Sequence, residues 1–294
     1  MKKLIFGILI ITVFTLNSCG DDDSTQPVEG NLTLNITGLE DLGTNYNYEG
    51  WIMVKGTPVS TGVFSVTTSG DLSQTSFSID AAQLADASQF IVSIEPANDT
   101  DPAPSATKLL AGEFSGNSAN VSSSNIVGAF SSVSGTYILA TPTDDDTNNE
   151  YSGIWFLDNS GTSVVAGLTL PTLPSGWVYE GWVVFDGIPV STGTFTDVAM
   201  ADSNSSSSPY KGSIGNGPNF PGEDYVMGNA AGITFPTDLR GSTVVISIEP
   251  SPDNNTAPFT LKPLAHKVPS MAMDHTAIAM GAGPVVSISG VVTR

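Results

Sequence analysis

Acidic side chains are the residues of this chain best suited to chemistry, and the densest group is Asp144, Asp145 and Asp146. They lie in the segment Thr-Asp-Asp-Asp-Thr-Asn-Asn-Glu, residues 143–150. Oxygen ligands at this density suit calcium, a hard cation that takes about six to eight of them. The spacing differs from an EF-hand loop, and the central glycine of that loop is missing. We therefore expect a solvated acidic turn and no cofactor, with calcium at the three aspartates as the alternative.

Groups for other reactions are sparse. The chain has two histidines, His266 and His275, whereas a zinc site generally needs several His or Cys ligands. No Gly-x-Ser-x-Gly elbow and no phosphate-binding glycine loop before a helix is present. A hydrolase with paired carboxylates stays open, because its two acids can lie far apart in the sequence. We expect a protein that is not an enzyme.

Two similar segments must position whatever site exists. Residues 48–64 and 179–195 are identical at eleven of seventeen positions. Each begins with apolar residues on both faces, which indicates a central strand, and continues into a turn with Gly and Pro. Lys55 of the first turn is replaced by Asp186 in the second, and a charge that reverses freely indicates an exposed position. Glu49 and Glu180 occur in both copies; we expect a structural role for them, with a catalytic carboxylate as the alternative.

A second pair of segments follows each of these. Residues 91–96 match residues 245–250, and both end in Ser-Ile-Glu-Pro before a polar loop that closes on Ala-Pro. The proline after each glutamate predicts that ladder hydrogen bonding ends there. The main residues shared by the two copies are called the repeated framework: Tyr48, Trp51, Pro58, Glu95 and Pro96 in the first copy, and Tyr179, Trp182, Pro189, Glu249 and Pro250 in the second.

These motifs resemble a known family. Tyr-x-x-Trp, then Gly-x-Pro-x-x-x-Gly-x-Phe, then Ser-Ile-Glu-Pro and Ala-Pro, is similar to the extracytoplasmic domain of anti-sigma-K factors, the RskA-like family. The resemblance covers the central part of each copy. Both copies depart from it at the hairpin tip, with Asn98-Asp99-Thr100 and Pro252-Asp253-Asn254 in place of Gly-Gly-Ser. Anti-sigma factors of this type also have a cytoplasmic helical domain and a transmembrane helix; the sequence suggests neither, so the resemblance does not imply that this chain binds a sigma factor.

Composition supports an all-β protein of two domains. The 294 residues are rich in Gly, Ser, Thr, Asn, Pro, Val and Ile, which suit strands and tight turns, and only 13% are charged. We expect two tandem antiparallel β-sandwich-like modules after a lipoprotein signal peptide. The net charge of -20 repels phosphates, so we expect no nucleic acid partner.

The N-terminus predicts export and lipidation. Met1-Lys2-Lys3 precedes an apolar run of about a dozen residues, too short to span a bilayer. Leu-Asn-Ser-Cys at 16–19 resembles the bacterial lipobox, and Cys19 is the single cysteine of the chain. Gly20 and three aspartates follow, similar to the export signal of surface lipoproteins in Bacteroidetes-like bacteria. We expect membrane attachment through a lipid on Cys19 and an outer-membrane location, facing the cell surface or, alternatively, the periplasm.

The predicted organisation is a signal peptide at 1–18, a tether at 19–30, a first module at 31–132, and a second module at 133–294 with an acidic hairpin and an inserted loop. Trp182 and Glu249 are 67 residues apart, against 44 for Trp51 and Glu95, so 23 residues are inserted, most plausibly within 201–232. Long insertions on a β framework often bind ligands, and they are also simply tolerated. We expect a binding or sensing protein of the cell envelope with a protein or glycan ligand, and a structural envelope protein is the alternative. Tyr210, Phe220 and Tyr225 of the insertion are the candidates for a binding loop.

Overall fold

The computed structural model describes residues 28–252 and 255–294, and these form an almost entirely β structure with sandwich-like and barrel-like sheets. This confirms the predicted fold class.

The elements of the first module lie between residues 29 and 125. They are β1 (Glu29–Thr37), β2 (Tyr46–Val54), β3 (Thr57–Phe64), β4 (Ser76–Asp80), α1 (Ala81–Asp86), β5 (Ala87–Pro96), β6 (Lys108–Ser115), β7 (Ser118–Ser122) and a 3-10 turn at Ser123–Asn125. Helix α1 begins where the Asp80 carboxylate accepts a hydrogen bond from the Gln83 amide at 2.9 Å, a standard N-cap contact.

The middle of the chain contributes short strands. They are β8 (Ser134–Leu139), a 3-10 turn at Glu150–Ser152, β9 (Gly153–Trp155), β10 (Leu157–Asp158), β11 (Val165–Ala166) and β12 (Leu168–Thr169). Strands β8 and β9 pair antiparallel, with Ile138 opposite Trp155, so the hairpin predicted around the acidic segment is confirmed.

The rest of the chain forms the second framework copy and the strands around it. They are β13 (Trp177–Phe185), β14 (Ile188–Phe195), β15 (Gly222–Asp224), β16 (Asn229–Ala230), β17 (Ile233–Thr234), β18 (Thr243–Pro250), β19 (Lys262–Lys267), β20 (Ile278–Ala279), β21 (Gly281–Val285) and β22 (Ser289–Thr293).

The two framework copies lie in separate antiparallel sheets. The first sheet has the order β3-β2-β5-β6-β7-β22-β1-β4, and the second has the order β14-β13-β18-β19-β21. Strands β2 and β13 are internal, as the apolar pattern predicted. Their partners β3 and β14 are edge strands, which explains why Pro58 and Pro189 are tolerated there.

The last strand of the chain belongs to the first sheet. Strand β22 lies between β1 and β7, with Val292 opposite Leu34 on one side and Ala119 on the other. The predicted boundary assigned residues 133–294 to the second module, but residues 289–293 complete the first sheet instead. Val292 is 258 positions from Leu34 and 173 positions from Ala119, and a five-residue strand gives no sequence signal for such distant partners.

The two sheets share one apolar core. Buried residues from both framework copies and from the middle strands belong to the same cluster. Polar contacts also join the modules: the Trp177 indole donates to the Lys108 carbonyl at 3.1 Å, and the Thr107 hydroxyl donates to the Gly176 carbonyl at 3.2 Å. The modules are therefore packed together.

Candidate functional site

The two framework hairpins have the same geometry. Strands β2 and β3 pair with a bulge between Gly50 and Trp51, and β13 and β14 pair with a bulge between Gly181 and Trp182. The turns are two residues long with positive φ at both positions, which suits the twist of antiparallel strands. The first residues of these turns, Lys55 and Asp186, are both exposed, as the reversal of charge predicted.

A buried hydrogen-bond network accompanies each hairpin. The Trp51 indole donates to Ser93 Oγ at 2.8 Å, and Ser93 donates to Glu95 Oε1. The same oxygen accepts from the Ser105 amide at 2.8 Å. Glu95 is 2% exposed, so its carboxylate accepts these hydrogen bonds in the interior of the protein.

The second copy repeats this network. Trp182 donates to Ser247 Oγ at 2.7 Å, and Ser247 donates to Glu249 Oε1. The Phe259 amide donates to the same oxygen at 2.8 Å. Trp, Ser and Glu therefore connect the hairpin to the loop that follows the Glu-Pro segment.

The framework tyrosines fix the other end of each hairpin. Tyr48 stacks on Phe64 at 5.5 Å between ring centroids, and Tyr179 stacks on Phe195 at 5.6 Å. Their hydroxyls donate to the carbonyls of Glu40 at 3.0 Å and of Pro171 at 2.6 Å. Both rings are buried, and burial raises both tyrosine pKa values above the usual range. Pro96 is exposed and Pro250 is buried at the ends of β5 and β18.

The glutamates beside the tyrosines accept local hydrogen bonds. Ser60 donates to Glu49, and Ser191 donates to Glu180. Burial raises the pKa of Glu49, the hydrogen bond from Ser60 lowers it, and repulsion from Glu95 raises it further. These contacts agree with the structural role that the sequence suggested.

A cleft of about 470 Å³ opens beside the second hairpin and is the best candidate for a ligand site. We call it the second-copy cleft. Its walls come from the hairpin, from the insertion and from the loop after β18. The lining includes Glu180, Trp182, Ser191, Tyr210, Ala231 and Asn255. A carboxylate, aromatic edges and small polar groups on one concave surface suit a polar ligand with apolar faces, such as a sugar or an extended peptide.

A cleft beside the first hairpin shares one framework position with the second-copy cleft, Glu49 in place of Glu180, and it is smaller and more acidic. It has a volume of about 270 Å³, and four carboxyl residues contribute to its lining: Glu49, Glu95, Asp99 and Asp101. No long insertion follows β3, so this first-copy cleft lacks the wall that Tyr210 and Ala231 supply in the second copy.

The insertion contributes aromatic side chains mainly to the interior. Tyr225 is 0% exposed, and its hydroxyl donates to the Ser191 carbonyl at 3.0 Å, so the expectation that it contacts a ligand is wrong. Phe220 is partly buried against the cluster that contains Trp155. Tyr210 packs on Phe235 at 5.2 Å and is the aromatic residue of the three that also lines the second-copy cleft.

The acidic segment at 144–146 is stabilised by its own turn. Asp144 accepts hydrogen bonds from the Asp146 amide at 3.1 Å and from the Asn149 side chain at 2.8 Å. Asp146 accepts from the Asn148 amide at 3.0 Å and from the Asn148 side chain at 2.7 Å, and these two hydrogen bonds lower its pKa. Within residues 28–252 and 255–294, no three His, Cys, Asp or Glu side chains are grouped so that they could hold a metal ion.

Each of the two histidines has a polar side-chain neighbour. His266 Nδ1 is 3.0 Å from the Tyr137 hydroxyl, and His275 Nε2 is 3.3 Å from a Glu150 oxygen. Each imidazole ring therefore contacts one polar side chain, the Tyr137 hydroxyl for His266 and the Glu150 carboxylate for His275.

Three buried carboxyl residues of the insertion were missed by the sequence analysis. Asp202, Glu223 and Asp224 are 6%, 3% and 0% exposed. Asp224 accepts from the Thr143 amide at 2.7 Å and from the Trp155 indole at 2.8 Å, so it fastens β15 to the acidic hairpin. The framework tryptophans donate to serines, whereas Trp155 donates directly to the Asp224 carboxylate, and these two residues are 69 positions apart with no shared motif.

Burial shifts the acidity of this group. It raises the pKa of Asp202 to about 6, of Glu223 to about 8 and of Asp224 to about 6. Hydrogen bonds to each carboxylate offset part of the effect, chiefly from Gly222 to Asp202, from Ser208 to Glu223 and from Thr143 to Asp224.

Cys19 and the signal segment lie outside the described residues. Within the described ranges, no helix is long and apolar enough to cross a membrane.

Comparison with known proteins identifies one domain. Residues 25–108 match the family model described as anti-sigma-K factor rskA, C-terminal, so this part of the chain is similar to that domain. The match runs from the segment before β1 to the first residue of β6 and contains the first framework hairpin. No curated protein and no solved structure matches the chain.

Proposed function

We propose that this protein is a lipid-anchored, non-enzymatic binding or sensing protein of the cell envelope, and that the second-copy cleft holds its ligand. The observation that carries the proposal is the composite wall of this cleft. The framework supplies Glu180 and Trp182, while the insertion adds Tyr210 and Ala231. The first copy has the same hairpin without this wall, so the addition favours a ligand specific to the second copy.

The chemistry of the lining favours a glycan or an extended peptide. Tyr210 and Ala231 offer apolar surface, and Ser191 and Asn255 offer polar groups. Concave sites with a few placed polar groups are the usual form of small-ligand sites. The framework carboxylates Glu95 and Glu249 serve internal hydrogen bonds, which favours binding over catalysis.

The test is a binding screen of the purified protein against glycans and envelope proteins, repeated with a cleft-filling variant. Thr256 is exposed and lines the cleft, so Thr256→Trp should block a ligand without disturbing the core. Thr276→Trp, also exposed and outside the cleft, is the matched control. We expect the Thr256→Trp variant to lose at least about tenfold in affinity. A ligand that binds both variants equally would contradict the assignment of the cleft.

The anchor is tested separately. Cys19→Ala should move the protein from the membrane fraction to the soluble fraction, because a lipid on this cysteine is the proposed attachment. Protease treatment of whole cells should degrade the anchored protein if it faces outward. Continued firm attachment of the Cys19→Ala variant would refute lipidation at this position.

A regulatory role related to that of anti-sigma-K factors is the second candidate, and the family match over residues 25–108 favours it. Deletion and overproduction of the protein should then change transcript levels in opposite directions for a common set of genes. An unchanged transcript profile in both strains would remove this candidate.

A further inference from the structure

Asp202 carries a buried carboxylate oxygen that lacks a partner. The side chain is 6% exposed, and its Oδ2 accepts a hydrogen bond from the Gly222 amide at 2.8 Å. Its Oδ1 is buried without a hydrogen bond. The amides of Asn204 and Ser205 lie near enough to lower the pKa, but neither forms a hydrogen bond to Oδ1. A buried carboxylate oxygen without a hydrogen bond destabilises the folded state unless a positively charged group contacts it.

Asn204 brings a second oxygen of the same kind to the same place. Its Oδ1 is also buried without a hydrogen-bond partner. Both oxygens lie against Gly193: Asp202 Oδ1 is 2.8 Å from the point that a Cβ on Gly193 would occupy, and Asn204 Oδ1 is closer still. The Asn204 side-chain nitrogen lies 3.4 Å from Glu223 Oε2, which directs the oxygen end of the amide away from that carboxylate. Two oxygen acceptors without a hydrogen-bond partner therefore lie against the same face of Gly193.

The nearest ionisable neighbour of Asp202 is a second buried acid. Glu223 is 3% exposed and repels Asp202. Ion pairs within the described ranges join Lys55 to Asp86, Arg240 to Asp238 and His275 to Glu150, and none of them includes Asp202, Asn204 or Glu223. Buried carboxylates without a nearby cation are strongly destabilising when ionised.

A cleft open to solvent lies against the Asp202 side chain. A cleft of about 360 Å³ is lined by Thr194, Asp197, Met200, Asp202 and Ser203, among others. It is large enough to admit a hydrated ion, and its polar rim can exchange water.

We propose that Asp202 Oδ1 and Asn204 Oδ1 bind a calcium ion, with Glu223 supplying further negative charge once the cation displaces its proton, and water completing the coordination. Calcium takes oxygen ligands in flexible geometry, whereas magnesium requires a near-ideal octahedron. The donor set contains an amide and no group of three carboxylates, so it differs from the aspartate cluster at 144–146. Few protein ligands imply weak binding, in the range of about 0.1 to 1 mM that extracellular calcium modules show.

The site would link three parts of the second copy. Gly193 belongs to β14, Asp202 and Asn204 to the insertion, and Glu223 to β15. Bound calcium should therefore stabilise the packing of the insertion on the hairpin, and the effect should appear in thermal unfolding because a ligand of the folded state raises the midpoint.

The experiment is thermal unfolding and calorimetric titration of the purified full-length protein after treatment with EDTA. Calcium chloride at about 10 mM, well above the expected dissociation constant, should raise the unfolding midpoint by a few degrees. Magnesium should have a smaller effect, and sodium chloride at equal ionic strength controls for screening of the net charge of -20.

Two substitutions make the test specific. Asp202→Asn should abolish the calcium response, whereas Asp197→Asn, an exposed aspartate in the same cleft, should retain it. Asn204→Asp adds a carboxylate ligand and should tighten calcium binding by about tenfold, because affinity rises with ligand charge. Equal calcium responses of Asp202→Asn and the unaltered protein, or no effect of Asn204→Asp on affinity, would overturn the proposal.

Discussion

The same glycine of the framework hairpin is covered by an aromatic ring in one copy and by polar side chains in the other. Gly62 in β3 and Gly193 in β14 have φ values of 125° and 111°. The ring of Phe77, from β4, lies 3.0 Å from the point that a Cβ on Gly62 would occupy. At Gly193 the corresponding space is occupied by Asp202 and Asn204 of the insertion.

This difference shows which part of the fold is fixed and which part can vary. The hairpin, its bulge and the Trp-Ser-Glu network are the same in both copies. The layer above them is apolar in the first copy and carboxylate-rich in the second. We infer that the framework supplies stability and that the covering layer supplies what distinguishes the two copies.

Removal of the aromatic cover should have the largest effect. Phe77 is 4% exposed and packs edge-on against Phe64 at 6.2 Å between centroids. Phe77→Ala should therefore lower the free energy of unfolding by about 3 to 5 kcal/mol. Urea unfolding gives the value, and Phe77→Leu, which retains most of the apolar volume, should lose less than half as much. A loss below about 1 kcal/mol for Phe77→Ala would show that the cover is dispensable.

The two network glutamates should be equivalent. Glu95→Ala and Glu249→Ala each leave a serine hydroxyl and a backbone amide without their buried acceptor. We expect each variant to lose roughly 3 kcal/mol in urea unfolding, since an unsatisfied buried group costs about 1 to 3 kcal/mol. The exposed Glu113→Ala is the control. If the two losses differ by more than about 1.5 kcal/mol, the two networks do not contribute equally to stability and the framework copies are not equivalent.

The covering layers should differ in their response to pH. Burial raises the pKa of Asp202 to about 6 and of Glu223 to about 8, so the folded state favours their protonated forms. The stability that protonation contributes is complete below the unfolded pKa values of about 4 and is lost as pH rises through 6 to 8. With EDTA present, the free energy of unfolding measured in urea should decrease between pH 5 and pH 8, by an amount on the order of 2 kcal/mol.

The double variant Asp202→Asn, Glu223→Gln should show a flatter profile than the unaltered protein, because neither replacement titrates. An unaltered protein that is equally stable at pH 5 and pH 8 would contradict the pKa assignments.

The difference in charge between the two hairpin turns should have the smallest effect on stability. Lys55 pairs with Asp86 at 2.9 Å, but both side chains are largely exposed. Exchanging the turn charges with Lys55→Asp and Asp186→Lys should change the unfolding free energy by less than about 0.5 kcal/mol. Larger effects in thermal or urea unfolding would mean that one of these positions has a role beyond the turn.

The sequence predicted the framework well because its signals are local. Alternation and turn residues place β2, β3, β13 and β14, and the proline positions agree with edge strands. The covering layer was not predictable in the same way. Tyr225 follows a strand of three residues within a loop rich in Gly, Pro and Ser, so no periodicity indicated its burial.

The candidate site was only partly predictable. The inserted length identified the region that supplies one wall of the second-copy cleft, and Tyr210 was among the residues expected there. The buried group of Asp202, Glu223 and Asp224 was missed because its hydrogen-bond partners, Thr143, Trp155 and Gly222, come from three separate segments. Contacts between distant residues leave no spacing pattern in a single sequence.

The position of β22 affects the order in which the protein can fold during synthesis. Strands β1 and β7 leave the ribosome early, but the strand that joins them spans residues 289–293. Until those residues emerge, both strands present unpaired edges, which are prone to pair with other chains. The first module is therefore synthesised first, but its sheet is completed only when β22 emerges. A chain truncated before residue 289 should aggregate through the unpaired edges of β1 and β7.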